Sequence, residues 1–208
     1  MIYAENILLC IVVPFVVSLL FIRGEEARRY VGAFLLGMGA SLVSAYISSF
    51  VGSLARWQEN ETSIFIAPMV EETVKLLILL FFVFLIFPKD NTLVMLAVAI
   101  GAGFATFENC CYILTFGADS IAYILVRGLA VGVMHTVSIL SLTIWLIFTR
   151  QKKAFSFPTV VGGLSLAMIY HSLYNLLVSE PGISRTLGYL LPILSVGFIY
   201  PLYKRTIK

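Results

Sequence analysis

Apolar residues along this chain come in runs too long for the helices of an ordinary soluble domain, with only brief polar interruptions. A helix needs about 20 mostly apolar residues to cross the hydrocarbon core of a bilayer. Seven stretches meet that requirement, at roughly 2–22, 30–54, 62–87, 92–116, 120–148, 157–178 and 184–203. The connections are short, which predicts antiparallel neighbours in one transmembrane helical domain over residues 1–208. The first run has no basic leader and ends in charges rather than at a small-residue cleavage site, so it reads as a spanning helix and not a signal peptide. Small residues recur every fourth position in two of the runs. Ala33, Gly37, Ser41, Ala45 and Ser49 form one series, and Ala97, Gly101 and Ala105 the other. Such series let helices approach closely in lipid, and both are expected to be packing seams.

Composition agrees with this reading. The chain is 60% hydrophobic and 12% charged, with a mean hydropathy of +1.00, where a soluble domain carries about 25% charged residues. The fold class expected is an all-α integral membrane protein, a polytopic bundle of about seven transmembrane helices. Lysine and arginine in short loops set orientation. Arg23, Arg28, Arg29, Lys89, Arg150, Lys152, Lys153, Lys204, Arg205 and Lys208 fall on one side, and only Arg56 and Arg185 on the other. The N-terminus is therefore expected outside and the C-terminus in the cytoplasm of a multi-pass cell-membrane protein. Cys10, Cys110 and Cys111 lie in apolar segments without metal-ligand spacing and read as small apolar residues. Nothing in the charge pattern points to nucleic acid.

Against that background the ionisable residues inside the runs stand out. The third run holds Glu71, Glu72 and Lys75. The fourth holds Glu108 with Asn109, the fifth Arg127 and His135, and the sixth His171 and Asn175. A charge near the bilayer centre costs about 2.5–3.5 kcal/mol on insertion scales, so these groups call for partners or a purpose. At 1.5 Å per residue, Glu71 and Glu72 lie ~13 Å, Glu108 ~12 Å and His171 ~10 Å below the outer ends of their helices. Residues from helices of different direction thus share one layer in the outer half of the membrane. Lys75 can pair with Glu71 at four residues or Glu72 at three. Glu71 and Glu72 point about 100° apart, so one can face a site while the other makes a structural contact. Pro68 either kinks the third helix or marks its first turn.

Carboxylates with imidazoles suit two chemistries. In one, Glu71 or Glu72 is a general base toward water while the histidines stabilise the oxyanion. In the other, His135, His171 and one glutamate such as Glu108 hold a divalent metal, zinc by type, and a second glutamate is the base. There is no H-E-x-x-H. A proton-coupled transporter and a non-catalytic protein that binds membrane partners are the alternatives in other classes.

Four blocks, in order on four successive runs, carry a resemblance. They are Glu71-Glu72-Thr73-Val74-Lys75, then Gly103 to Asn109 with Tyr112, then Arg127 to His135, and His171-Ser172-Leu173-Tyr174-Asn175. At these residues the chain resembles the PrsW family of intramembrane proteases, related to the CAAX-processing prenyl endoproteases. The likeness covers roughly residues 62–178, the expected catalytic core. It implies a membrane endopeptidase that cuts a single-pass protein, typically an anti-sigma factor, on the extracytoplasmic side. Carried over by position, Glu71, Glu72, Glu108, His135 and His171 would be the catalytic set, supported by Lys75, Asn109, Arg127 and Asn175. Many relatives have Asp where this chain has Asn175.

Overall fold

The computed structural model describes residues 4–117 and 120–207, and helices are the only regular structure among them. Lys208 and the first residues of the predicted 2–22 span lie outside the described residues. The helices are α1 (Ala4–Leu19), α2 (Glu25–Ala55), α3 (Ala67–Phe81), α4 (Asp90–Phe116), α5 (Ile121–Gln151), α6 (Phe157–Ser179) and α7 (Ile183–Thr206). Five of them, α2 and α4 to α7, are long and apolar enough to cross a membrane. Helix α3 is extended by wider π-helical turns at Thr62–Ile66 and Phe82–Ile86, preceded by a single α turn at Glu59–Glu61. The predicted 62–87 run is therefore helical nearly throughout.

Local chemistry sets the helix ends. Ser120 caps α5 by accepting from the Tyr123 amide at 3.2 Å, and Ser156 with Thr159 forms a reciprocal cap on α6, where Pro158 fits the first turn. Gly117 and Gly182, at φ of 76° and 78°, supply the positive-φ positions that end α4 and begin α7. At one end of the bundle Asp90 of α4 pairs with Arg150 of α5. Gln151 there donates to Asp90 at 2.9 Å and to the Thr206 carbonyl of α7 at 3.1 Å.

The fold is apolar outside and partly polar within. Leu20, Phe21, Phe157 and Ile183 are about 80% exposed (80%, 79%, 81% and 80%), and a broad apolar girdle of that kind suits lipid, not water. The main core joins Ala33 of α2, Leu76 and Leu79 of α3, Ala97 and Ile100 of α4, and Ile139 and Leu142 of α5. A smaller cluster gathers Ala105, Val131, Met134 and Tyr174. On α5, His135 lies between Ile139 of the first and Val131 of the second.

Glycine permits the closest helix contacts. A Cβ at Gly37 of α2 would collide with the Ile100 carbonyl of α4, and one at Gly103 of α4 with the Phe34 carbonyl of α2. Gly101, on another face of α4, lies close to Thr136 of α5, where an added Cβ would come within 2.8 Å of the Thr136 Cα. The seam expected on α4 is buried at Ala97, Gly101 and Ala105. The α2 seam departs from expectation: Ala33, Gly37 and Ser41 are buried, but Ala45 and Ser49 are exposed, and burial continues at Ser44, Ser48 and Gly52. A strict four-residue step gains about 40° per repeat on a 3.6-residue helix, so the contact line must return by a three-residue step.

These contacts make a direct expectation. Gly37→Ala and Gly103→Ala overpack the α2–α4 crossing and should each destabilise by about 1–3 kcal/mol. Gly39→Ala, where an added methyl meets nothing within 4 Å, should be neutral or stabilise by about 0.5–1 kcal/mol. Thermal unfolding in detergent, followed by tryptophan fluorescence, reads the difference.

Candidate active site

Helix α3 presents Glu72 and Lys75 to the interior, one turn apart. They meet at 2.6 Å with neither side chain exposed. Lys75 also lies 2.9 Å from His135 Nδ1 on α5 and 4.7 Å from the centre of the Phe104 ring on α4. The second partner of Glu72 Oε1 is His171 Nδ1 on α6, at 2.8 Å. Of the two pairings open to Lys75, the three-residue one forms. The residue 100° away, Glu71, is left to another role.

These contacts assign protons. An ammonium has only donors, so His135 Nδ1 accepts and Nε2 carries the hydrogen. That hydrogen goes to Glu108 Oε2 of α4 at 2.5 Å. A carboxylate accepts, so His171 Nδ1 carries its hydrogen and Nε2 keeps a lone pair. Nε2 faces Glu71 Oε2 at 3.7 Å, and that oxygen is buried without a hydrogen-bond partner among the described residues. Two lone-pair atoms facing each other in a protein interior suit a group that serves both: a water donating twice, a shared proton or a cation. The imidazoles stand edge to face with centres 4.9 Å apart. Glu71, His135 and His171 each offer a ligand atom, all within 4.8 Å of one another.

The three acids differ in access. Glu72 is sealed, Glu71 is 14% exposed and Glu108 is 33% exposed. A cavity of about 600 Å³ reaches Glu108 and is lined further by Arg127, Tyr112, Tyr174 and Asn175. Arg127 approaches Glu108 only to 3.6 Å and lies flat on the Tyr112 ring, 3.4 Å from its centre.

Two residues of the sequence set sit apart. Asn109, turned about 100° from Glu108 on α4, lines a separate apolar groove with Gly128 and Gly132 of α5. Asn175 lines the cavity, and its side-chain amide donates to the Ser63 carbonyl at 2.8 Å. The reason lies in Pro68. The Ala67 amide bonds to Thr62, five residues back. In that register the Ser63 carbonyl would receive the amide of residue 68, a proline with none to give. Pro68 thus marks the first turn of α3 without breaking the helical path from Thr62, and Asn175 satisfies the carbonyl it leaves free. Aspartate could not donate there. Sequence reasoning passed over Ser63 and gave no role of their own to Phe104 and the buried Tyr174, which it met only within the motif blocks. The pointers were a proline five residues after Ser63 and an aromatic one turn before Glu108.

Helices with an apolar exterior, enclosing carboxylates and imidazoles that meet beside a polar cavity, have the make-up of a membrane-embedded hydrolase. The chain belongs to the PrsW family of intramembrane metalloproteases, whose family model matches residues 25–202. It is accordingly a multi-pass membrane protein of a proteolytic family. It matched none of the curated proteins and none of the solved structures with which it was compared.

Removing one member of a buried ion pair strands the other and costs about 3–5 kcal/mol. Lys75→Met should therefore lower stability by that order, and Lys75→Met with Glu72→Gln should recover part of it. Chemical unfolding of purified protein in lipid–detergent micelles measures both.

Proposed function

We propose that this protein is an endopeptidase that hydrolyses a peptide bond of a single-pass membrane protein, anti-sigma-factor-like in architecture, near the extracytoplasmic face. The observation that carries the reading is the opposition of Glu71 Oε2 and His171 Nε2 at 3.7 Å, in a cluster whose Glu108 lines a polar cavity. Glu71 is the general base: partly accessible and free of the Lys75 pair, it removes a proton from a water that donates to both atoms. Glu72 is a positioning residue that fixes the tautomer and direction of His171. Glu108, bonded to His135, exchanges with the cavity and passes a proton to the leaving amine. Positioned proton transfer of this kind contributes about 10²–10⁴-fold to rate.

The family's description implies a metal, and the donors present fit one. A buried carboxylate oxygen without a partner faces an imidazole lone pair, and one carboxylate with two imidazoles is a zinc-hydrolase set. Glu71, His135 and His171 would hold the ion, His135 by releasing its bond to Glu108, losing its Nε2 hydrogen to water and taking one onto Nδ1 from Lys75, which would then be neutral. Bound there, a divalent ion would supply Lewis-acid polarisation and a more acidic water. Glu108, freed from His135, would then be the carboxylate left for proton transfer. This ligand set has Glu71 where the sequence suggested Glu108.

Orientation follows from basic residues. Arg150, Lys152 and Lys153 cluster at the end of α5, and Lys204 and Arg205 at the end of α7. That end is cytoplasmic, α1 and the extended α3 complete seven spans, and the catalytic layer lies in the outer half of the bilayer.

Co-expression with a doubly tagged single-span substrate should give a clipped product. Glu71→Gln, Glu108→Gln and His171→Ala should each reduce it about 100-fold or more at equal protein level. Undiminished cutting by Glu71→Gln removes the mechanism. Metal analysis of purified protein and a chelator titration of cleavage separate the ion-assisted scheme from the glutamate-only one. For orientation, a cysteine at Ser184 should react with an impermeant thiol reagent on intact cells, and one at Lys153 only after permeabilisation.

A further inference from the structure

Arg127 has a role that charge balance does not explain. Arg127 and Glu108 form an ion pair at 3.6 Å, which is beyond hydrogen-bond range and so leaves the donors of the guanidinium unused. Glu108 Oε2 is already committed to His135. Among the described residues no hydrogen bond reaches the guanidinium, and its Nε is buried without a partner. The side chain is only 12% exposed, held flat by the Tyr112 ring, whose hydroxyl is in turn bonded to that of Tyr123 at 3.2 Å. Tyr174, across the same cavity from α6, is 2% exposed, and its hydroxyl likewise has no partner among the described residues.

We propose that this cavity is a carboxylate subsite, in which Arg127 and Tyr174 receive an acidic group of the polypeptide being cut. The inference rests on the proteolytic reading above and names a feature of its substrate. Guanidinium offers only donors, and a phenol can donate, so the occupant must supply acceptors. A planar fork matches a carboxylate, and it binds most strongly where water is scarce. Arg185, with its Nε on the Val178 carbonyl at 3.2 Å, lines the same cavity and offsets Glu59, which lines it too. Because Glu108 also lines the cavity, a group held by Arg127 lies beside the reacting bond. This favours an aspartate or glutamate close to the scissile bond over a lipid headgroup. The carboxylate freed by cleavage is the other peptide source of the same chemistry.

The test uses the full chain in neutral-lipid nanodiscs and a single-span reporter with a randomised outer flank, with cut products sequenced by mass spectrometry. Wild type should enrich Asp or Glu at one position near the cut, and a matched acid-to-amide reporter should be cut at least tenfold more slowly. Arg127→Gln should collapse that ratio toward one, Arg127→Lys should keep part of it, and Tyr174→Phe should lower it about threefold. If the released carboxylate is the occupant, the free-acid product peptide should instead inhibit at least tenfold better than its amide, and Arg127→Gln should erase that gap. Neither preference in wild type, or one that Arg127→Gln leaves intact, overturns the subsite while leaving the protease. A requirement for anionic lipid in place of substrate acidity overturns it too. Absence of any cut by wild type removes the protease reading and the subsite together.

Discussion

Glu72 and Lys75, in contact at 2.6 Å and wholly enclosed, determine the state of both histidines. Lys75 offers a proton to His135 Nδ1, and Glu72 draws one from His171 Nδ1. One imidazole therefore presents a hydrogen from Nε2 and the other a lone pair. The two rings lie 4.9 Å apart yet are chemically opposite, and that difference comes from a single turn of one helix. Buried ion pairs are weak sources of stability. This one makes better sense as a device that specifies proton positions.

Distance control comes from elsewhere. Glu108 reaches His135 because α4 and α5 approach closely at Gly101, and α4 is held against α2 at Gly37 and Gly103. Larger residues at these crossings would separate the helices by more than the slack in a 2.5 Å hydrogen bond. The small-residue seams and the polar cluster are thus parts of one arrangement, although they share no side chain.

Much of this was legible in the sequence. Apolar runs measured against bilayer thickness placed the helices, because lipid forces backbone groups to pair within each segment. Counting residues along those runs put the ionisable groups at one level, and they do meet. Partner choice was not legible: three- and four-residue spacings are equally available to Lys75, and only the packing of α3 against α5 and α6 selects Glu72. The drift of the α2 seam escaped a fixed repeat because helical pitch is not four. Pro68 left two readings open, and the structure places it in the first turn of α3, continued backwards by a π-helical register that no local residue pattern announces. Asn175 could be noted as a departure from relatives, but its reason lies 112 positions away, at Ser63.

The buried acid and its lysine also sit on the same helix, three residues apart. They can neutralise one another as soon as that helix winds, before any other span is in place. Cationic and anionic groups drawn from separate helices, such as Arg127 and Glu108, have no such shelter until assembly. During biogenesis, then, the Glu72–Lys75 pair can leave the translocon already self-compensated, and the later spans need only fold around it.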